Sequence, residues 1–269
     1  LHRFNEYREV FQNLYKKLKH HKPDLIYIGG DVVHGKLDTS PEETRMVADF
    51  FLSLCNIAPT IVIPGNHDCN LNNKSREDTL SPIVDLVKKI NPNIHYWKKS
   101  GHYTLEDIDG SIDFGVLSIF DIDKEGNQVT DNLPNPKELD GDVRIALHHG
   151  SVGTFYYDNG FEVKDDRVTN ETFKGYDLVL LGDIHKRQFL NKEETIAYPG
   201  SLIQQGFAEE PAHGFLLWDV KEKNAEFIQV ENNYGFKVIN VENGVIKNKM
   251  NFIPPKGKIK IKYWNTTLE

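Results

Sequence analysis

Pro64-Gly65-Asn66-His67-Asp68 sets an amide, an imidazole and a carboxylate in one short stretch. It follows Thr60-Ile61-Val62-Ile63, a β-branched run that reads as a buried strand. An Asx turn would account for this loop if it stood alone. Three other apolar runs end in the same way. Residues 24–28 lead into Gly29-Gly30-Asp31, residues 143–147 into His148-His149-Gly150, and residues 178–181 into Gly182-Asp183-Ile184-His185. Open α/β sheets collect their ligands at the carboxyl ends of strands. Convergence of the four endings on one metal centre is the simplest account of them.

The donor types narrow the chemistry. Oxygen ligands from Asp31, Asn66 and Asp183, mixed with imidazoles, suit Mn²⁺, Fe²⁺ or Zn²⁺ better than Ca²⁺. One carboxylate shared by two ions holds them roughly 3.5–4 Å apart. Asp31 fits that role, because its strand should lie beside the Asn66 strand. Two ions so held polarise a phosphoryl oxygen and lower the pKa of a bridging water. His67 directly follows a proposed ligand, so its side chain points elsewhere. It can contact the phosphate or protonate the leaving oxygen, or it can simply cap the turn. His148 and His149 are neighbours on a strand, so only one of them can face the site.

The positioning elements follow from periodicity. In residues 1–20 Tyr7, Val10, Phe11, Leu14, Tyr15 and Leu18 form one apolar stripe, which predicts a helix with Asn5 as its cap. Pro23 ends it. After the 24–28 strand, Asp31 and His34 sit in a loop. Ser40-Pro41-Glu42-Glu43 is a helix start with a capping box, and Met46, Val47, Phe50, Phe51 and Leu54 make the buried face. Strand, helix and strand at these lengths predict a βαβ unit. Residues 69–78 are polar and read as a surface loop or as a phosphate-contacting loop beside the site. Leu80 to Ile90 is a further helix. From Ile94 the texture changes to short alternating runs with an Asp109-Gly110 turn, which predicts a second sheet packed on the first. Residues 121–142 and 151–172 are expected to be long loops. Phe155, Tyr156, Tyr157 and Phe161 in the latter read as a small satellite core or as a stacking surface for bases. Residues 196–201, 214–220 and 225–230 are expected strands of the second sheet. Residues 231–269, with the alternating Lys258-Ile259-Lys260-Ile261-Lys262-Tyr263, read as the beginning of a second, small domain after a first that spans 1–230.

The bulk numbers fit this picture. The 269 residues allow one large α/β domain plus part of another. Hydrophobic content of 39% with 27% charged residues is ordinary for a soluble chain, and no apolar run approaches a membrane span. A net charge of −8 argues against a general polyanion-binding surface. It does not argue against an enzyme for phosphate esters, because bound cations reverse the sign of an acidic site. Cys55 and Cys69 form no zinc-type pair and read as a core thiol and a loop thiol, which suits a reducing intracellular setting.

Taken together, Gly29-Gly30-Asp31, Gly65-Asn66-His67-Asp68, His149-Gly150 and Gly182-Asp183-Ile184-His185 resemble the signature of the calcineurin-like metallophosphoesterases. Residues 181–188, Tyr198-Pro199-Gly200-Ser201-Leu202-Ile203-Gln204-Gln205 and Asn72-Asn73-Lys74-Ser75-Arg76 look like the SbcD-type DNA-repair nucleases, including phage and viral members. The resemblance covers roughly residues 1–230 and implies a two-sheet α/β/β/α sandwich, followed by the start of an α+β capping domain that shapes a DNA cleft. It implies an exo/endonuclease with two divalent ions, manganese before magnesium. Asp31 would bridge the ions. Asn66, His149 and Asp183 would serve one, and His185 the other. His149 is preferred to His148 because the glycine follows it. His67 would be the catalytic acid or phosphate contact, and Asn73, Lys74, Arg76, Lys186 and Arg187 would meet DNA.

The resemblance also implies an SMC-like ATPase partner, bound through helices beyond the capping domain, and a homodimer. The first helix or the Leu80–Ile90 helix could supply its interface, though periodicity does not tell a dimer face from a core face. Two departures stand out. The Asp-x-His strand that opens the family signature is expected before the first helix and is not in the sequence, which would deprive the His185 metal position of two ligands. The usual Gly-His-x-His reads Gly182-Asp183-Ile184-His185, which adds negative charge and favours Mn²⁺ or Mg²⁺. A phosphoesterase of another class, such as a protein phosphatase or nucleotide phosphodiesterase, and a non-catalytic scaffold are the alternatives.

Overall fold

The structure is a computed structural model that describes residues 3–35, 38–73, 75–105, 112–248 and 253–265. The Asp109-Gly110 turn expected from the sequence lies outside the described residues. Three helices lie on the amino-terminal half: α1 (Phe4–His21), α2 (Pro41–Cys55) and α3 (Leu80–Ile90). They alternate with β1 (Ile26–Ile28), β2 (Thr60–Val62) and β3 (Ile94–Tyr96), which form a parallel three-stranded sheet in the order β1-β2-β3. A six-stranded sheet follows, built from β4 (Gly101–Thr104), β5 (Ile112–Leu117), β6 (Val143–His149), β9 (Leu178–Gly182), β10 (Gln188–Phe189) and β11 (Ile196–Tyr198), in the order β10-β11-β9-β6-β5-β4. Between β6 and β9 a hairpin is formed by β7 (Gly153–Tyr156) and β8 (Glu162–Asp165).

The core has three layers of apolar contact. Val10, Leu14 and Leu18 of α1, Phe50, Phe51 and Leu54 of α2, and Ile83, Val84 and Val87 of α3 are buried with Val62 and Ile94 of the first sheet. Phe11 and Phe50 stack with ring centroids 4.3 Å apart and lock α1 onto α2. Each such buried Phe or Leu contributes roughly 1.5–3 kcal/mol. Between the two sheets, Ile61 and Ile63 meet Phe114, Val116, Ile145, Leu147 and Leu178. On the outer face of the six-stranded sheet, Ala146, Val179 and Leu181 pack with Phe155 of the β7–β8 hairpin and Phe173 of a 3₁₀ turn at Asn170–Phe173. The chain thus adopts the expected mixed α/β fold with packed sheets.

The remaining strands form two further small sheets. β12 (Gly214–Asp219) and β13 (Asn224–Gln229) pair with each other as a hairpin. β14 (Phe236–Glu242) pairs with β15 (Val245–Ile246) and in parallel with β16 (Lys258–Trp264). This small sheet is tied to α1 by Asn233 and Lys256, which both donate to Glu9.

Several elements differ from their sequence reading. Asn5 is no cap: α1 begins at Phe4, and Arg3 at its start bonds to Glu6 at 2.8 Å instead. Ser40 does cap α2, accepting from the Glu43 amide. β3 belongs to the first sheet, because Thr60 and Ile94 pair in parallel. Residues 151–172 hold the β7–β8 hairpin, which closes over Asn159 and Gly160 (φ 83°), a turn signal within the presumed loop. Its aromatic residues divide: Phe155 is in the core, whereas Tyr156, Tyr157 and Phe161 are exposed. Cys55 and Cys69 are both buried, so the loop position of Cys69 does not expose its thiol.

Candidate metal centre

The two sheets meet at the carboxyl ends of their strands, and glycine makes the meeting close. A Cβ on Gly30 (φ 91°) would lie 2.6 Å from the Gly65 nitrogen and 2.7 Å from His149 Nδ1. Gly182 faces the Gly29 carbonyl with no room for any side chain. This contact brings the ends of β1 and β2 against those of β6 and β9.

Strand alternation decides which histidine enters the junction. Ile145, Leu147 and His149 share the face toward the first sheet, and Ala146 and His148 share the other. His148 is accordingly buried near Phe173, with Nδ1 donating to the Leu117 carbonyl at 2.9 Å. Burial lowers its pKa to about 4, so it is neutral there. His149 Nδ1 donates to the Gly29 carbonyl at 2.6 Å. Its Nε2 then faces Asp31 Oδ1 at 3.4 Å and Asp183 Oδ1 at 3.8 Å. Ligand atoms of Asp31, His149 and Asp183 all lie within 4.8 Å of one another, the one such group of three among the described residues. The Asn66 amide completes the ring. Its terminal atom on this side lies 3.1 and 3.2 Å from the two Asp31 oxygens and 3.2 Å from His149 Nε2. With nitrogen turned inward the amide donates to those acceptors. With oxygen inward, lone pairs alone converge, which is the donor set a divalent cation needs.

Both carboxylates are held in backbone conformations that L-residues rarely adopt, Asp31 at φ 55° and Asp183 at φ 97°. Such geometry costs on the order of 1–3 kcal/mol at each residue and is concentrated at functional sites. Asp68 holds the junction from below. Its fully buried carboxylate accepts from the amides of Asp31 and Gly65 at 2.8 Å and of Val33 at 3.0 Å. Burial lifts its pKa to about 6 against those donors. In the cluster itself, burial opposes ionisation of Asp31, and His149 more than compensates, leaving that carboxyl below its ordinary value. Asp183 is raised, first by burial and then by the charge of Asp31. Burial disfavours a charged His149, but Asp31 and Asp183 overcome it and raise the imidazole. Two close carboxylates balanced by one imidazole leave excess negative charge for a cation to neutralise.

A sequence profile of the calcineurin-like phosphoesterases matches residues 1–187 of the chain. The chain belongs to this family. Among relatives of the chain, the uncharacterized protein R555 of Acanthamoeba polyphaga mimivirus is 41% identical over 272 residues, covering 99% of this chain and 20% of that protein. The DNA double-strand break repair protein Mre11 of Nanoarchaeum equitans is 26% identical over 262 residues, covering 91% of this chain and 67% of that protein. The chain thus spans a fifth of the viral relative's length.

The other expected site residues surround this cluster at different distances from it. The His67 amide donates to Asp31 Oδ1 at 2.8 Å, and its Nδ1 donates to the His34 carbonyl at 3.1 Å. The two rings stack with centroids 4.9 Å apart. His185 stands outside the three-residue group and lines a separate small cavity with Lys186 and Arg187. The Arg187 guanidinium rests on the Phe227 ring, 3.6 Å from its centroid. Asn73 and Arg76 are exposed on the loop after His67, and Lys74 lies outside the described residues. A larger cavity of about 230 Å³ opens beside the cluster, lined by Asn66, His149 and Asp183 together with Leu71, Ile119 and Ile122.

Asp68 and Glu209 went unassigned in the sequence reading. Asp68 lay inside the Gly-Asn-His-Asp string, and its spacing to Gly65 was the available signal. Glu209 bonds to His185 Nδ1 at 2.9 Å, and nothing local marks it. Burial raises the Glu209 pKa, but the His185 and Gln205 donors outweigh it and leave it lowered.

Proposed function

We propose that the chain is the catalytic part of a manganese-dependent DNA exo/endonuclease that hydrolyses phosphodiester bonds at DNA ends during recombination and double-strand-break repair. The observation that carries this reading is the convergence of Asp31, Asn66, His149 and Asp183 at the junction of two sheets, with His67 on its rim. The similarity to a DNA double-strand break repair protein favours DNA over other phosphate esters.

Asp31, Asn66, His149 and Asp183 would hold one Mn²⁺, with Mg²⁺ a weaker substitute, and Asp31 with His185 would contribute to a second. When bound, such ions polarise a phosphoryl oxygen and generate a nucleophilic water near neutral pH. The residues supply the rest. His149 is fixed by Gly29, so its Nε2 lone pair points into the cluster. His67 is fixed by the His34 carbonyl through Nδ1, so a proton carried on Nε2 faces outward, where it can pass to the leaving oxygen. The cavity lined by Leu71, Ile119 and Ile122 gives the substrate an apolar wall beside the scissile bond. Exposed Asn73 and Arg76, with Lys186 and Arg187, would contact flanking phosphates, as would Lys74. Residues 231–269 would begin a capping domain after a catalytic domain of residues 1–230. An SMC-like ATPase and a second copy of the chain are the expected partners.

Substrate choice is the test. End-labelled linear duplex DNA, a small chromogenic phosphodiester and a phosphorylated peptide are offered to the Mn²⁺-loaded protein. Cleavage of DNA ends well above the small diester, with the peptide untouched, is expected. Turnover of the peptide or of free nucleotides alone would replace the nuclease with a phosphoesterase of another class, and no turnover of any of them would favour a scaffold.

A further inference from the structure

His185 and Glu209 lie 24 positions apart in the sequence, yet Nδ1 of the first and Oε1 of the second are 2.9 Å apart. We propose that Glu209 is the positioning residue of His185, holding the imidazole so that Nε2 is the ring atom offered to a bound divalent ion. This rests on the reading of His185 as a metal ligand.

The chemistry of the pair is directional. An ionised carboxylate can only accept, so Nδ1 carries a hydrogen and, in the neutral ring, Nε2 carries the lone pair. Metal-binding histidines generally give their second N–H to a carboxylate or carbonyl in this manner, which fixes the tautomer and raises ligand basicity. His185 needs such a partner, because its side chain is 48% exposed.

Glu209, in contrast, is held on several sides. Its side chain is 13% exposed, and Oε2 accepts from the Gln205 amide at 2.6 Å. The buried Gln204 donates to the Glu209 carbonyl at 2.9 Å. Arg3 at the start of α1 clamps the same loop, donating to the Gln204 carbonyl at 2.6 Å and to Gln205 Oε1 at 2.8 Å. His213 closes the back of the carboxylate, with Nε2 3.8 Å from Oε2. The loop also pins the His185 backbone, since the Ser201 amide donates to the His185 carbonyl at 3.0 Å. Gly200 (φ 80°) permits that approach, because a Cβ there would sit 2.7 Å from the same carbonyl oxygen. One loop therefore fixes both the backbone and the ring of His185.

The test combines a metal-free readout with a metal titration. ¹⁵N NMR of histidine-labelled, metal-free chain reports the His185 tautomer, and calorimetry reports Mn²⁺ affinity. The wild type is expected to show the Nδ1–H form. Glu209→Ala is expected to lose that preference and to weaken Mn²⁺ binding by about 10–100-fold. The isosteric Glu209→Gln keeps an acceptor oxygen, so it should retain the tautomer and bind Mn²⁺ more weakly than wild type but more tightly than Glu209→Ala. In a His185→Ala background, Glu209→Ala should add no further loss.

Unchanged tautomer and affinity in Glu209→Ala would overturn the inference, as would an equal loss in the His185→Ala background. Wild-type Mn²⁺ affinity in Glu209→Gln would overturn it even where Glu209→Ala fails to fold. Unchanged affinity in His185→Ala would overturn it and leave the Asp31 cluster standing. Unchanged affinity in Asp31→Ala would instead remove the metal reading itself, while the tautomer measurement still judges Glu209.

Discussion

His149 Nδ1 lies 2.6 Å from the Gly29 carbonyl oxygen, and this bond ties the end of β6 in one sheet to the end of β1 in the other. The carbonyl can only accept, so Nδ1 carries a hydrogen and the neutral ring turns its Nε2 lone pair toward Asp31 and Asp183. The same contact that joins the sheets therefore prepares a ligand. The candidate metal centre is a property of the sheet junction rather than of any single loop.

Glycine at position 30 is needed for that junction. Its φ of 91° and the 2.6 Å approach to the Gly65 nitrogen leave no space for a methyl group. Gly30→Ala is expected to destabilise the metal-free chain by roughly 1–3 kcal/mol and to weaken Mn²⁺ binding as the His149 ring is displaced. Urea denaturation with and without Mn²⁺ checks both effects. Unchanged midpoints would mean that the sheets do not meet as closely as described.

A second expectation concerns acid stability. Asp78 is buried and caps α3, accepting from the Leu80 and Ser81 amides, Tyr96 Oη and Lys98 Nζ. Burial pushes its pKa up, and Lys98, Ser81 and Tyr96 outweigh burial, so the folded carboxyl titrates below its ordinary value. Its stabilisation is present above the unfolded pKa of about 3.9 and is lost as pH falls through the lower folded value. Asp78→Asn is expected to cost about 3 kcal/mol at pH 7, with the difference from wild type shrinking below about pH 4. Denaturation curves between pH 7 and pH 3 measure it. A difference that grows on acidification would contradict the assignment.

Leu86 and Ile90 expose 61% and 71% of their surfaces on α3, four residues apart on one helical face. If the chain dimerises through this helix, Leu86→Glu with Ile90→Glu should give a monomer at unchanged thermal stability, because neither side chain supports the core. Sedimentation velocity separates the two states. A double variant that sediments as wild-type dimer would place the interface elsewhere.

Much of this arrangement was legible in the residues. The apolar stripe of α1, the Ser40 cap of α2 and the bounds of α3 are local signals, and local signals survive folding. Alternation from Ile145 and Leu147 turns His149, rather than His148, toward the first sheet. What escaped was non-local. The pairing of Thr60 with Ile94 places β3 in the first sheet, and no residue near Ile94 announces that partner. Glu209 reaches His185 across a loop that Arg3, at the start of α1, bonds from far away in the sequence. The split among the 151–172 aromatics depends on which side of a two-stranded hairpin each one occupies, and the Asn159-Gly160 turn that would have revealed the hairpin was read as loop.

The most direct measurement is Mn²⁺-dependent cleavage of end-labelled duplex DNA by the wild type beside Asp31→Asn and His67→Ala. The expected result is cleavage abolished by EDTA and by Asp31→Asn, and slowed about 10²–10⁴-fold by His67→Ala. Cleavage that persists undiminished in EDTA, or in Asp31→Asn, would contradict a metal centre at the junction of the two sheets.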